Sequence, residues 1–283
     1  PDGLAANAQP KAPSPRSAAL ARYYRGVEAD LLARGLLRKE GGAVDPPYTR
    51  ADLAANFERI AFYREYGNCG NLSASDGRAG VLRKWTGPVR VGTAFGPSVP
   101  RDRRAADARL VEGFTARLAR VTGHPIAMAP NAGAANFKVI FASEDDRDEM
   151  IAEVKAMVPS VCGGTLDLLE RLPRNIYCLV LSFEDPARAN SFNRAIAIVR
   201  HEHPDLMREA CVHEEMAQGL GLGNDSEDAR PSIFNDDEEF ALLTTHDEEL
   251  LRLLYTPSLR SGMTLREARP VIARTLGVAP GQT

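Results

Sequence analysis

Residues 214–225 read EEMAQGLGLGND, and the rest of the chain is interpreted outward from this string. Wound as an α-helix, residues 206–220 place Leu206, Ala210, Ala217 and Leu220 along one face, with Met207 and Cys211 at its shoulder. Glu214 and Gln218 fall inside that apolar face, four residues and so one turn apart. A carboxylate and an amide need partners in such a stripe, because burying a polar group without one is costly. Glu215 points to the side. Gly219, Gly221 and Gly223 then predict the end of the helix and a sharp reversal of the chain, with Asn224 and Asp225 next.

This arrangement resembles the signature of the metzincin metallopeptidases, H-E-x-x-H-x-x-G-x-x-H-D, in which three histidines bind zinc and a glutamate acts as the base. With Glu215 at the catalytic glutamate, Glu214 takes the first ligand position, Gln218 the second and Asn224 the third. Gly221 matches the turn glycine and Asp225 the aspartate that follows. His213 does not restore the motif, because Ala217 stands where its second histidine would be. Downstream, Pro231-Ser232-Ile233-Phe234 lies where metzincins have their Met-turn, with Ile233 for the methionine. Residues 243–255, LTTHDEELLRLLY, resemble the closing helix of the matrixin type. The last third of the chain also looks like a family of secreted bacterial proteins of unknown function. The resemblance implies an α+β, zincin-like fold: a twisted, mostly antiparallel or mixed sheet over an active-site-type helix, with a cleft along an edge strand.

Glu214, Gln218 and Asn224 offer only oxygen donors, and such a set suits calcium, magnesium or manganese better than zinc. Three readings follow. In the first, these residues, with Asp225 behind them, hold one of those ions or zinc, and Glu215 is the general base of an active metallohydrolase. In the second, the chain is a pseudo-enzyme without cofactor, whose cleft binds a peptide or a cell-envelope protein by adding it to the edge strand. In the third, the motif only packs the helix of an envelope assembly protein. The loss of all three histidines favours the second.

Two other polar groups are weaker candidates. His201 and His203 share one side of a strand end and could ligate a metal, although such pairs are more often exposed ahead of a helix. Asp225, Glu227 and Asp228 match no calcium-loop spacing, and they read, like residues 235–239, as solvated acidic loop. Trp85, the single tryptophan, reads as a packing residue.

The chain has 283 residues, a formal net charge of −3, 44% hydrophobic residues and 26% charged ones. That is enough for one sizeable core, with no general pull toward nucleic acid. No apolar run is long enough to span a bilayer. Four cysteines fit two disulfides in an exported protein of the periplasm or cell envelope. Four cysteines allow three connectivities; proximity along the chain favours Cys162–Cys178, which leaves Cys69–Cys211.

Residues 1–16 are rich in Pro, Ala and Ser and read as a flexible leader that could tether the domain to a membrane. Residues 17–80 read as a helical N-terminal region. Its first helix turns Leu20, Tyr23, Val27, Leu31 and Leu32 inward, its second Leu53, Phe57 and Ile60, and a loop over 67–80 carries Cys69. Residues 81–283 read as the metzincin-like domain. Strands are expected at 89–94, 126–129, 136–142, 176–183 and 195–199, the fourth of them buried. Helices are expected at 102–122, 144–157 and 264–276 besides the signature helix and the one near 243–255.

Overall fold

A computed structural model describes residues 12–39, 47–63, 77–235 and 237–279. Among them are eight α-helices and a six-stranded sheet. The helices are α1 (Pro15–Ala33), α2 (Arg50–Phe62), α3 (Arg101–Thr122), α4 (Arg147–Met157), α5 (Gly163–Glu170), α6 (Asp205–Gln218), α7 (Thr245–Leu254) and α8 (Leu265–Leu276). The strands are β1 (Lys84–Trp85), β2 (Val89–Phe95), β3 (Ile126–Met128), β4 (Phe137–Ala142), β5 (Cys178–Asp185) and β6 (Arg188–Arg200). None of these helices is long and apolar enough to cross a membrane.

The sheet is mixed, but it is not mostly antiparallel. The pairs β3–β2, β2–β4, β4–β6 and β1–β6 are parallel, and only β5–β6 is antiparallel. Chain connectivity explains this. The helix α3 carries the chain from β2 back to the start of β3, a crossover that makes the two strands parallel. The last two strands are joined by a tight hairpin, with Asp185 opposite Arg188, and must run antiparallel.

Period-two alternation sorts the side chains between the two faces of the sheet. Phe137, Val139 and Phe141 of β4, with Ala195, Ala197 and Val199 of β6, face the main core beside α3 and α6. Ile140 and Ala142, with Ile196 and Ile198, face the other way onto α4 and α5. Ala195 and Ala197 are small, so α6 lies close beneath the sheet there. The capping box Thr49–Asp52 starts α2, whose Leu53, Phe57 and Ile60 enter the same core as α7 and α8. The first helix packs through Tyr24 and Leu31 onto Leu206 and Met207 of α6. Its Leu32, expected to face inward, is 48% exposed, because Tyr24 and Leu31 set the buried stripe one position away.

The fourth expected strand is real, but β5 is a half-buried edge and not a central strand. Among the described residues it pairs with β6 alone. Its apolar run comes from packing on both faces, with Val180 toward the main core and Leu179, Leu181 and Phe183 toward the α4–α5 side. The helix α5 and the two-residue β1 carried no readable periodicity.

The cysteine pairing inferred from chain proximity is wrong. Cys178 bonds to Cys211, with Cα atoms 5.8 Å apart, and this joins β5 to α6. That bond excludes both Cys162–Cys178 and Cys69–Cys211. Cys162 is itself disulfide-bonded, and Cys69 lies outside the described residues. Separation in sequence misled because Cys178 and Cys211 meet only once the sheet has formed over α6.

A buried ion pair locks α6 to α3. Arg208 Nε donates to Asp107 Oδ1 at 3.0 Å, while its Nη1 donates to His203 O at 2.9 Å and its Nη2 to Asp205 Oδ1 at 2.7 Å. Removing one partner of a buried pair strands the other charge. Asp107→Ala is therefore expected to cost about 3–5 kcal/mol in urea unfolding; a loss under about 1 kcal/mol would show that the pair does not hold α6.

Candidate functional site

The floor of the site is the last turn of α6 and the glycine-rich reversal after it. The reversal is shaped by close approach. A Cβ on Gly219 would stand 2.5 Å from Phe137 Cζ, and one on Gly221 would stand 2.4 Å from Arg83 O. Gly221 also has φ +129°, which side chains with a Cβ rarely adopt. Three donors tie the reversal and the end of α7 in place. Trp85 Nε1 donates to Gly219 O at 2.8 Å, Tyr255 Oη to Leu220 O at 2.9 Å and Lys84 Nζ to Leu254 O at 2.7 Å. Trp85 is thus a packing residue, as expected, but also a donor. Burial of Lys84 lowers its pKa to about 8.

A groove of about 700 Å³ opens above this floor. One wall is β5, from Cys178 to Glu184, and the other includes Glu214, Glu215, Gln218, Gly221 and Asp225. At one point along β5, Arg83 Nε pairs with Glu184 Oε1 at 3.0 Å. The expected Glu214/Gln218 face therefore does look onto a sheet-lined groove. Glu215 is 3% exposed and also contributes to the lining. Gln218 Nε2 donates to Asp225 Oδ1 at 3.2 Å. Asn224 is placed differently: its Nδ2 donates to Arg59 O of α2 at 3.2 Å and to Asp225 O at 2.6 Å, and it does not line the groove. The structure thus brings Glu214, Glu215, Gln218 and Asp225 together and turns Asn224 toward α2. Carboxylate oxygens of Glu214 and Glu215 lie within 4.8 Å of each other and of Cys178 Sγ.

The segment around Ile233 is organised by Asp247 of the closing helix. Asp247, fully buried in the first turn of α7, accepts from Ser232 Oγ, Ile233 N, Thr244 N and Thr244 Oγ1. The capping box Thr244–Asp247 was the readable signal. Glu227 and Asp228 are exposed, as a solvated loop should be. Asp236 lies outside the described residues, and Glu239 pairs with Arg38 at 3.2 Å.

None of the five histidines lines the groove. His124 packs on Tyr255, and His246 Nε2 contacts Asn56 Nδ2 at 3.1 Å. His201 and His203 sit where β6 ends, not exposed ahead of α6. His203 is fully buried edge-on to Tyr24. His213 stacks on Phe114 at 4.0 Å, and its Nδ1 accepts from Leu243 N at 3.0 Å, which ties α6 to the chain before α7. Burial, then nearby guanidinium groups, lowers the pKa of His203 and of His213 to about 3.

Two outcomes follow. Both folded-state pKa values lie below the ordinary 6.5, so the unfolded chain takes up protons first as pH falls. The contribution of these two neutral imidazoles is full above about pH 7 and is lost between about pH 6.5 and 3, by up to about 2 kcal/mol per histidine from pH 7 to 5. Urea midpoints across that range should fall, and His213→Gln, whose amide oxygen can accept from Leu243 N, should flatten the fall. An unchanged slope would mean that His213 is not held neutral. Separately, Gly221→Ala should cost about 2 kcal/mol or more from strain and backbone contact. Gly223→Ala, where a Cβ meets nothing within 4 Å, should stay within about 0.5 kcal/mol in the same thermal melts.

No curated protein and no solved structure matches this chain. Residues 50–274 match the family described as "Protein of unknown function (DUF2927)", a span that runs from the start of α2 into the last turn of α8 and includes every groove residue named above. The chain belongs to that family.

Proposed function

We propose that the groove between β5 and α6 binds an extended peptide, or an extended segment of a cell-envelope protein, without cutting it. On this reading the chain is an exported, zincin-like relative of the metallopeptidases with a degenerate ligand set. The observation that carries the proposal is the pairing of an open strand edge with a polar floor. Among the described residues, β5 hydrogen-bonds to β6 on one side only, and the groove runs along it. A strand edge offers backbone donors and acceptors that any extended segment can satisfy, while alternate side chains set the preference. Val180, Leu181 and Phe183 supply the apolar lining on that wall.

The zincin-like part of the reading draws support from α6 lying beneath a mixed sheet whose antiparallel edge strand lines the groove. The non-catalytic part draws support from donor chemistry. The groove end of α6 presents Glu214, Glu215 and Gln218, with Asp225 opposite, and no imidazole lines the groove. Gln218 is a neutral amide donating to Asp225, a poor substitute for an imidazole on zinc. The Cys178–Cys211 bond fits an oxidising compartment, hence export to the periplasm or envelope.

The test uses the oxidised protein and a library of extended octapeptides, with and without added divalent metal. The expected result is selective retention of a subset that mass spectrometry finds intact. Methylating one strand-edge amide of a retained peptide should weaken binding about tenfold, the loss of roughly one hydrogen bond. Glu214→Arg should weaken it as well. Retention of no peptide sinks the proposal. Metal-dependent cleavage that disappears in Glu215→Gln would instead establish the hydrolase reading, with Glu215 as general base.

A further inference from the structure

The Cys178–Cys211 bond has two unlike ends. Cys211 is 3% exposed, and its Sγ lies 3.7 Å from Nδ1 of His203, a buried imidazole whose Nε2 has no hydrogen-bond partner. Cys178 is half-buried and lines the groove, with its Sγ in the cluster formed with the carboxylates of Glu214 and Glu215. While the bond is intact, that sulfur is a weak donor and the cluster is not a metal site. Once it is broken, the same atoms form a set of one thiolate and two carboxylates on a groove floor. A set of that kind, three protein donors with an open position, suits zinc and not the harder ions.

We propose that reduction of Cys178–Cys211 converts the groove floor into a binding site for a thiophilic divalent cation of the zinc class, held by Cys178, Glu214 and Glu215. The reductant is a dithiol, the class that reduces protein disulfides by exchange. One of its thiolates attacks the groove-facing Cys178 Sγ, and the sulfur–sulfur electron pair leaves on Cys211, which takes a proton. The second thiolate displaces Cys178 and leaves the reductant as a disulfide. Two protein thiols result. His203 Nδ1 stands where it can accept from the Cys211 thiol, and the Cys178 thiol gives up its proton when the cation binds. Glu214 and Glu215 have partners in the oxidised protein, and the cation competes with these.

The inference goes beyond peptide binding and does not depend on it, since that reading is tested on the oxidised chain. Its own test is titration with cobalt(II), whose thiolate complexes absorb in the near ultraviolet. Cys211→Ser leaves Cys178 as a thiol without any reductant and should show the thiolate–cobalt band at one equivalent, displaced by zinc. Cys178→Ser should show none. In the Cys211→Ser background, Glu214→Gln and Glu215→Gln should each weaken cobalt binding about tenfold or more. Should Cys211→Ser fail to match the far-ultraviolet circular dichroism of the parent chain, phosphine-reduced parent is compared with Cys178→Ser reduced in the same way. A missing band in the folded thiol form overturns the proposal, as does a band that survives Cys178→Ser.

Discussion

The cross-link between Cys178 and Cys211 joins the edge strand to the helix beneath it, and the groove depends on those two elements keeping their separation. The bridged residues are 33 apart in sequence, so the bond closes a loop containing the whole β5–β6 hairpin and half of α6. Restricting the unfolded chain over such a loop is worth about 3–4 kcal/mol in the chain-entropy account. That is a large share of a typical domain's net stability. It acts on an edge strand, which among the described residues has a sheet neighbour on one side only.

Around that bond the helix is held on all sides but one by interactions of different kinds. Toward α3 it is an ion pair, Arg208 with Asp107. Toward the chain before α7 it is a hydrogen bond into His213. Toward the sheet it is the contact permitted by Ala195 and Ala197. At its C-terminal end the glycine reversal is gripped by Trp85 and Tyr255. Only the side carrying Glu214 and Gln218 is left to the groove. Polar residues on that side are thus neither packing errors nor ordinary surface: they occupy the one direction in which α6 has no core to face.

No imidazole lines the groove. Imidazoles such as His203 and His213 serve as neutral groups in the interior, and the groove floor is furnished with oxygen. A neutral imidazole costs less to bury than a charged one, and His213 recovers part of that cost by accepting a backbone N–H. Glu214, Glu215 and Asp225 line the groove, while the buried carboxylates Asp107 and Asp247 are each held by donors of their own.

Much of this was legible in the sequence, for a physical reason. Helix faces and strand alternation are local, so the periodicities of α3, β4 and α6 predicted their elements closely, and the boxes at Thr49, Thr244 and Thr264 stand in the sequence as equally local start signals. The five-residue stretch from Glu214 to Gln218 likewise announced a polar patch on an apolar helix. What required the tertiary structure was every property set by the order of strands in space. That order made the sheet mostly parallel, put β5 at the edge although its composition reads as buried, and brought Cys178 to Cys211 in place of Cys162. It also chose Asp225 over Asn224 as the partner of Gln218, because the chain leaving the glycine reversal runs against α2 and turns Asn224 to Arg59. Residues a turn apart on one helix are placed by the backbone they share; residues on different elements are placed by packing, which no spacing in the chain records.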